Sequence, residues 1–444
     1  MKKINFLFFL LAACLNLLAQ DIQSKADEYM KSLVSQYKFN GTVFIAKDNQ
    51  VLFQKGYGFR DVDKKINHDV NSIFQIGSVT KQFTSAIILQ LQQEKKLSVQ
   101  DKISKYFPGF PRGNDITIHH LLSHTSGIYN YTTNSDFMMN KVAIPHTQEQ
   151  MIALFKDKPL NFEPGTKYDY SNSGYMLLGY IIEKVTKKPY EQVVRERILK
   201  PLQMNNSGFD FTNLNNEFKT TGYYNIKDTV VKSAIVDSSV SYAAGALYST
   251  AGDLNKWEQS LYGNNIMNDE SKKLAYTPVR DKYGYGWVID SLYGTQTIAH
   301  GGGIHGFTSF LLRFPAEKLV VILMDNSGGA KLGDIGRDLG GIALGKSIAK
   351  SAPKETKLDE KILQQYVGEY ELAPTFKINV TLENGQLKAQ ATNQPQFDIF
   401  AEKENHFFLK VVEAKIEFLK DESGKVTSLV LNQGGQKIPG KKIN

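Results

Sequence analysis

The sequence is almost free of cysteine. Its 444 residues contain one, Cys14, which lies inside an apolar stretch at the N-terminus. A mature chain that begins after that stretch would have neither a disulfide nor a reactive thiol. Its stability must then come from packed apolar cores, which a chain of this length can build, and the length suggests two domains rather than one.

Long apolar runs and concentrated charge are also scarce. After residue 20 no apolar run is long enough to span a membrane. The formal net charge of +8 is spread along the chain rather than gathered into an arm or a stripe, and no nucleic-acid motif is present. We therefore predict no nucleic-acid partner, and we interpret the charge as solubility with a mild attraction to anionic surfaces.

The first 20 residues have the pattern of a secretory leader. A basic start, Met1-Lys2-Lys3, precedes a nearly continuous apolar run over residues 4–18. Two kinds of processing are open. Cleavage near Ala19 by an ordinary signal peptidase is favoured, because the residues after Cys14 stay apolar; the alternative is lipidation of Cys14 within Leu11-Ala12-Ala13-Cys14. We predict export to a bacterial periplasm or beyond the cell, with a membrane anchor only if Cys14 is lipidated.

The first stretch with chemical content is residues 76–83. It places Ser78 at the start of a predicted amphipathic helix, roughly 79–96, with Lys81 one turn later on the same face. Burial lowers the pKa of a lysine, and the neutral amine can then take the proton of a serine hydroxyl. The pattern predicts an acylating Ser78. The alternative is an N-cap serine beside a surface lysine, and Ser-x-x-Lys also occurs at Ser35, Ser347 and Ser351.

The second stretch is Tyr170-Ser171-Asn172, which precedes a predicted helix over 173–185. A nearby lysine would stabilise the phenolate of Tyr170, so this residue can relay protons to and from the serine. The amide of Asn172 can hold both the lysine and a substrate amide. A loop tyrosine with a turn asparagine is the alternative, and Tyr-x-Asn recurs at Tyr223 and Tyr262.

The third stretch is His300-Gly301-Gly302-Gly303. A predicted strand over 295–299 runs directly into it, and strands over 307–314 and 319–324 follow. Glycine in a strand permits close approach of a ligand or another backbone, and N–H groups there can pair with that of Ser78 as an oxyanion hole. His300 would add a titratable, positive edge. A glycine-rich connection is the alternative, and His/Lys-x-Gly also occurs at Lys282 and Lys331.

In this order, Ser78-x-x-Lys81, Tyr170-x-Asn172 and His300-x-Gly302 resemble the penicillin-recognising serine hydrolases, which include class C β-lactamases, D,D-peptidases, D-aminopeptidases and esterases. The resemblance spans about residues 25–345 and includes landmarks at 121–127, 163–166, 244–254 and 283–287. It implies an α/β (α+β) fold, with an antiparallel sheet flanked by helices and a helical region beside it. It also implies a site between them without a cofactor. The implied catalytic residues are Ser78, Lys81 and Tyr170, and the substrate-binding residues are Asn172, His300, Gly302 and Gly303.

The third stretch departs from many β-lactamases, which carry Lys-Thr-Gly where this chain has His300-Gly301-Gly302. A permanent cation suits the carboxylate of β-lactams and peptide C-termini, whereas a histidine of ordinary pKa, about 6.5, is mostly neutral at pH 7.5. We predict faster turnover of neutral esters than of β-lactams, and activity on anionic substrates that rises toward pH 6.

The predicted function is an exported serine hydrolase that works through an acyl-enzyme on Ser78. Its predicted substrates are small esters or peptides that contain a D-residue, and cell-wall-derived peptides belong to the second group. A β-lactamase and a D,D-carboxypeptidase are alternatives within the same class. A non-catalytic, penicillin-binding-like sensor is the alternative from another class; the intact set of Ser78, Lys81 and Tyr170 favours catalysis, because a sensor could lose any of them.

Two histidines raise the question of a metal. His120 and His124 are four residues apart and could bridge a metal from one helical face. No third ligand stands at a suitable spacing, so no metal site is predicted. We expect His124-Thr125-Ser126-Gly127 to form a hydrogen-bonded turn that braces the serine region.

The composition changes after Leu344. We predict a leader over 1–20, a hydrolase domain over 21–348, a polar linker over 349–357 and a β domain over 358–444. Seven short alternating segments between 366 and 431, with turns at Asn384-Gly385 and Ser423-Gly424, predict an antiparallel meander that forms a small barrel or a curved sheet. It resembles the small β domain often appended to such hydrolases and has no chemical constellation of its own.

Overall fold

The computed structural model describes residues 20–226, 229–346, 355–409, 414–433 and 436–443. Contacts between Cα atoms divide the chain into two units, residues 1–348 and 349–444. The predicted leader up to residue 19, with Cys14, and most of the predicted linker lie outside the described residues. None of the helices within those described ranges combines the length and the apolar character that a membrane crossing requires.

The first unit alternates between strands and helices. Its described strands are β1 (Gly41–Lys47), β2 (Gln50–Tyr57), β3 (Phe59–Asp61), β4 (Ile66–Asn67), β5 (Phe74–Gln75), β6 (Tyr223–Asn225), β7 (Val231–Lys232), β8 (Tyr248–Ser249), β9 (Val288–Leu292), β10 (Thr295–Ile304), β11 (Phe307–Phe314) and β12 (Leu319–Asp325). Its helices are α1 (20–35), α2 (Thr80–Gln93), α3 (Ile118–Leu122), α4 (Ser135–Asn140), α5 (Gln148–Ala153), α6 (Asn172–Thr186), α7 (Tyr190–Val194), α8 (Ser238–Gly245), α9 (Ala251–Ser260), α10 (Asp269–Ala275) and α11 (Leu332–Ala343).

The central sheet has six antiparallel strands in the order β2-β1-β12-β11-β10-β9. Its middle strands are buried on both faces. Successive side chains of a strand point to opposite sides of the sheet, so each of these strands contributes to two cores. On β1, Val43 and Ile45 pack in one core with α1 and α11, while Phe44 and Ala46 pack in a second core with α2, α6 and α9. The expected antiparallel sheet flanked by helices, with a helical region beside it, is confirmed.

Helix α2 differs from its prediction. It runs from Thr80 to Gln93 rather than from 79 to 96, and it is buried on nearly every side instead of being amphipathic. Its polar side chains therefore lie inside the protein: Gln82 Oε1 accepts a hydrogen bond from the indole N–H of Trp257 at 2.9 Å, while its Nε2 is buried without a partner among the described residues. The apolar periodicity on which the prediction rested could not show that the polar face is also covered.

The second unit is a closed antiparallel barrel that follows a short helix, α12 (Glu360–Leu363). Its strands are β13 (Gly368–Ala373), β14 (Phe376–Glu383), β15 (Gln386–Ala391), β16 (Gln396–Lys403), β17 (His406–Leu409), β18 (Ala414–Lys420), β19 (Val426–Gln433) and β20 (Gln436–Lys442). The all-β prediction is confirmed, and of its two forms the barrel is the one observed. The seven predicted segments omitted β20, which closes the ring against β13, because Pro439, Gly440 and several lysines hide its alternation.

Candidate active site

Ser78 lies in a single 3-10 turn, Gly77–Val79, directly before α2. Ile76, at the entry to this turn, is held from two sides. Its N–H donates to the carbonyl oxygen of Leu247 at 2.9 Å, and its carbonyl oxygen accepts from Ser309 Oγ at 2.7 Å. The serine is therefore fixed between β11 and the segment that follows α8.

The glycines of β10 let this turn approach the sheet. A Cβ at Gly302 would lie 2.0 Å from the carbonyl oxygen of Ile76, and a Cβ at Gly77 would lie 2.8 Å from the amide nitrogen of Gly303. Gly77 also has φ of +51°, a conformation that favours glycine. Strand β10 pairs with β9 only as far as Ala299, so its glycine segment lies against the Ser78 turn instead.

Lys81 is fully buried, and its amine has three neighbours. Nζ lies 3.0 Å from Ser78 Oγ, 2.8 Å from Asn172 Oδ1 and 2.8 Å from the carbonyl oxygen of Ala244. Burial holds the pKa of Lys81 well below its ordinary value. The Asn172 and Ala244 oxygens can only accept, so each takes an N–H bond from Lys81, and the third position of the amine is directed at the serine hydroxyl.

Tyr170 lies beside this pair. Lys81 Nζ is 4.8 Å from the centre of the Tyr170 ring, and the Tyr170 hydroxyl is buried without a hydrogen-bond partner among the described residues. Burial raises the pKa of Tyr170, and the neighbouring Ser78 side chain lowers it by a smaller amount. The expected stabilisation of the phenolate is therefore wrong: desolvation of the buried hydroxyl outweighs the contact with Ser78, and the phenol form is favoured.

Asn172 begins helix α6 and is oriented by the helical region. Its Nδ2 donates to Thr132 Oγ1 at 3.1 Å, and its backbone N–H donates to Asn130 Oδ1 at 3.1 Å. These bonds direct Oδ1 at Lys81, as expected for a residue that holds the lysine. Nδ2 carries a second hydrogen, which the bond to Thr132 does not use. A substrate carbonyl could accept a hydrogen bond from it.

His300 differs most from expectation. Its Nδ1 lies 2.6 Å from the carbonyl oxygen of Gly301, which can only accept, so this nitrogen carries the hydrogen. Its Nε2 then accepts from the Tyr283 hydroxyl at 2.9 Å. Burial, with a smaller contribution from Lys81, lowers the pKa of His300 to about 3. The prediction of a titratable positive edge is wrong, because the imidazole is enclosed by the protein and stays neutral.

A cleft of about 370 Å³ opens at this point. It is lined by Ser78, Tyr170, His300, the glycines 301–303, residues 308–310 of β11 and residues 330, 332 and 333. It therefore brings Gly302 and Gly303 to the same space as the nucleophile, and none of these lining side chains carries a permanent charge. A larger cleft of about 480 Å³, between residues 110–112 and 155–163, contains none of the predicted site residues.

Three contributors were not predicted as functional. Tyr283 and Ala244 lie inside stretches recognised only as family landmarks, so their position was signalled but their contacts with His300 and Lys81 were not. Thr132 had no signal in the sequence. All three act through contacts between segments far apart in the chain, which periodicity and spacing do not report.

The two histidines considered for a metal have other contacts. His120 Nδ1 accepts from the N–H of Thr117 at 3.2 Å, and His124 Nδ1 accepts from the N–H of Ser171 at 3.1 Å. No group of three potential ligands is present in the part of the chain that the structure describes. The turn that begins at His124 thus braces the Tyr170 segment rather than the serine turn.

A serine hydroxyl beside a buried lysine, with a tyrosine and an amide on the opposite side, is the arrangement of a serine hydrolase whose base is an amine. The family model described as Beta-lactamase matches residues 23–342, and the chain belongs to this family. Membership indicates serine hydrolase activity. A second model, a domain of unknown function (DUF3471), matches residues 352–442.

Relatives extend the same comparison. Penicillin-binding protein 4* of Bacillus subtilis (strain 168) is 26% identical over 91% of this chain and 96% of that protein. A putative penicillin-binding protein, PbpX, of the same organism is 30% identical over 71% of this chain and 77% of that protein. Among solved structures, the octameric penicillin-binding protein homologue from Pyrococcus abyssi has a TM-score of 0.71 at 26% identity, covering 94% of this chain and 99% of that one.

Proposed function

We propose that this protein is an exported hydrolase that forms an acyl-enzyme on Ser78 and acts on small esters or on peptides with a D-residue. The observation that carries the proposal is the environment of Lys81. An amine that is buried, directed by two acceptors and 3.0 Å from Ser78 Oγ can accept the serine proton at neutral pH.

The reaction follows from these positions. Ser78 Oγ attacks the substrate carbonyl while its proton passes to Lys81 Nζ. The N–H groups of Ser78 and Gly303 stabilise the oxyanion of the tetrahedral intermediate. The proton then passes through the Tyr170 hydroxyl to the leaving alkoxide or amine, and the acyl-enzyme remains. A water molecule then attacks the carbonyl of the acyl-enzyme and gives up a proton to the same base. The ester bond to Ser78 breaks, the acid product leaves, and Ser78 Oγ regains a proton.

The neutral cleft supports neutral substrates. Burial lowers the pKa of both Lys81 and His300, and the side chains that line the cleft include no arginine or lysine. A carboxylate next to the scissile bond would lose its solvation without gaining a cation, at a cost of roughly 1–3 kcal/mol for a missing charge-assisted bond. This favours esters and internal or blocked amides over β-lactams and over the free C-terminus that a D,D-carboxypeptidase requires.

The D-residue and the cell-wall origin are proposed from the family and its penicillin-binding relatives. Export is proposed from the leader-like residues 1–20. A sensor would keep the same pocket but would not release its adduct.

Labelling tests the nucleophile. Ser78→Ala should abolish covalent labelling by a fluorophosphonate, whereas the control substitutions Ser35→Ala, Ser347→Ala and Ser351→Ala should leave it unchanged. Labelling that persists in Ser78→Ala contradicts the assignment. Intact mass after incubation with esters, paired D- and L-peptides and β-lactams then separates the functions: turnover identifies substrates, and a persistent adduct without turnover identifies a sensor.

A further inference from the structure

His124, which belongs to none of the three chemical stretches, holds the backbone on both sides of Tyr170. Its carbonyl oxygen accepts from the N–H of Asp169 at 2.9 Å. Its side-chain Nδ1 accepts from the N–H of Ser171 at 3.1 Å. Its ring packs against the Tyr170 ring with a centroid distance of 4.1 Å. One residue therefore contacts the tyrosine and both of its neighbours in the chain.

The backbone of His124 is unusual for a residue that is not glycine. Its φ is +57°, in the left-handed region that such residues seldom adopt and that persists where the surroundings maintain it. The next residue, Thr125, is fixed by two backbone hydrogen bonds. Its N–H donates to the carbonyl oxygen of His120 at 2.9 Å, and its carbonyl oxygen accepts from the N–H of Gly165 at 2.7 Å. The strained conformation is thus built into the loop that faces Tyr170.

The hydrogen bonding also defines the imidazole. Because Nδ1 accepts from a backbone N–H, the neutral ring carries its hydrogen on Nε2. That atom is buried and has no partner among the described residues, a cost of roughly 1–3 kcal/mol for a buried donor. An apolar side chain at this position would avoid the cost, but it would leave the N–H of Ser171 without its acceptor.

We propose that His124 is a positioning residue that sets the orientation of Tyr170 through the hydrogen bond from Ser171 to Nδ1. The inference rests on the proposed function, in which Tyr170 relays the proton. Among the described residues the Tyr170 hydroxyl has no partner within hydrogen-bonding geometry, and Ser78 is the side chain near enough to lower its pKa. The position of the hydroxyl therefore depends on the packing of the ring against His124 and on the backbone that carries it. Misplacement of a reacting group by about 1 Å can cost on the order of 100-fold in rate.

Two substitutions separate the hydrogen bond from the ring. In His124→Asn, Oδ1 occupies the place of Nδ1, and asparagine tolerates the left-handed backbone. In His124→Gln the acceptor moves to the place of Nε2. Both lose the ring and both stay polar. We expect His124→Asn to keep kcat for p-nitrophenyl acetate within about fivefold of the wild type, and His124→Gln to lose on the order of 10- to 100-fold with KM nearly unchanged.

His120→Gln is the matched control. It also removes an imidazole that accepts from a backbone N–H, here the N–H of Thr117 at 3.2 Å. This bond caps helix α3 and does not involve the backbone around Tyr170. We expect its kcat to match the wild type. Thermal melting of all variants identifies a purely structural role, which would lower the melting temperature while leaving kcat per folded molecule unchanged.

The outcomes decide the inference separately from the proposed function. If the wild type is not labelled at Ser78 by a fluorophosphonate, the proposed function fails. If the wild type is labelled and His124→Gln turns over the ester as fast as His124→Asn, the positioning role of the hydrogen bond is overturned. Should His124→Gln not fold, His124→Asn decides alone: a loss greater than tenfold at unchanged melting temperature overturns the inference.

Discussion

The first unit and the C-terminal barrel bury polar groups in different ways. Among the described residues, every buried side-chain nitrogen or oxygen without a hydrogen-bond partner belongs to the first unit, including those of His124 and Tyr170. In the barrel, the buried Tyr366 and Tyr370 hydroxyls donate to backbone carbonyls at 2.5 and 2.9 Å. The barrel interior is otherwise packed with aliphatic and aromatic side chains, and Tyr366 stacks on Phe418 with a centroid distance of 4.6 Å.

This difference concerns groups that the proposed reaction uses. Each unpaired buried polar group costs roughly 1–3 kcal/mol, and one of those in the first unit is the Tyr170 hydroxyl, in the cleft that contains Ser78. In the proposed reaction this hydroxyl passes on a proton, so a fixed hydrogen-bond partner would compete with its role. In the described part of the barrel, no buried side-chain nitrogen or oxygen is left without a partner.

The largest effect is expected at Lys81. Lys81→Arg should slow acylation by about three decades or more, because a guanidinium does not give up its proton. Since burial lowers the pKa of Lys81, kcat/KM of the wild type should rise with pH as the amine loses its proton and then level off. Burst kinetics with a p-nitrophenyl ester across pH 5 to 9 measures both. Lys96→Arg, at an exposed lysine, is the control, and near-normal activity in Lys81→Arg would mean that the lysine serves only as a charge.

The second effect concerns the stability of the first unit, at a buried ion pair between helix α9 and strand β11. Glu258 and Arg313 are buried together, with Oε2 and Nε 3.3 Å apart. Arg313→Met should destabilise the first unit at pH 8 by about 3–5 kcal/mol, because it leaves the buried Glu258 carboxylate without its cation. The double substitution Glu258→Gln with Arg313→Met should recover part of the loss. Denaturant unfolding measures both. Glu383→Gln breaks the exposed Glu383–Lys388 pair of the barrel and should cost less than about 1 kcal/mol.

The same carboxyl gives a pH dependence. Burial raises the pKa of Glu258 to about 7 from an ordinary value of 4.5. The folded protein therefore binds this proton more tightly than the unfolded chain does, and the contribution of Glu258 to stability should fall as the pH rises from 4.5 to about 7. Melting temperatures of the wild type and Glu258→Gln across this range test the sign; a stability difference that does not change with pH would contradict it.

A smaller effect is expected at His300. p-Nitrophenyl butyrate should have a higher kcat/KM than nitrocefin. His300→Lys should reduce the difference in activation free energy between the two substrates by roughly 1–3 kcal/mol, since the lysine offers a cation to the carboxylate of nitrocefin. Because burial lowers the pKa of His300 to about 3, the wild-type ratio should stay constant between pH 6 and 9. A ratio that shifts toward nitrocefin at pH 6 would show that His300 titrates there. If nitrocefin is the better substrate throughout, the β-lactamase alternative replaces our proposal.

The smallest effect tests the separation of the two units. A chain that ends near Ala352 should fold and label at Ser78 at about the rate of the full chain, because the polar groups of the site belong to the first unit. Melting and labelling of the shortened chain measure this. Insolubility or a large loss of labelling would show that the barrel completes the core or the site.

Local patterns in the sequence were sufficient for most of the fold. Alternation and turn residues located β1, β2, β11 and β12, and helical periodicity located α2 and α6, because these signals depend on neighbours a few residues apart. Strand β20 was missed, since Pro439 and Gly440 disrupt its pattern and only the closure of the barrel requires a strand there. The three chemical stretches were found because each combines rare residue types at a short spacing.

The sequence by itself determined which groups can react: a serine three residues from a lysine, a tyrosine two residues from an asparagine, and a histidine that leads into glycines. The tertiary structure decided their protonation and their positions. The pKa of Lys81 is lowered because helix α2 is enclosed on nearly every side, His300 is neutral because it is buried, and Tyr170 is held through His124. Burial and orientation arise from contacts between segments that are distant in the chain, and the spacing of residues along it carries no record of them.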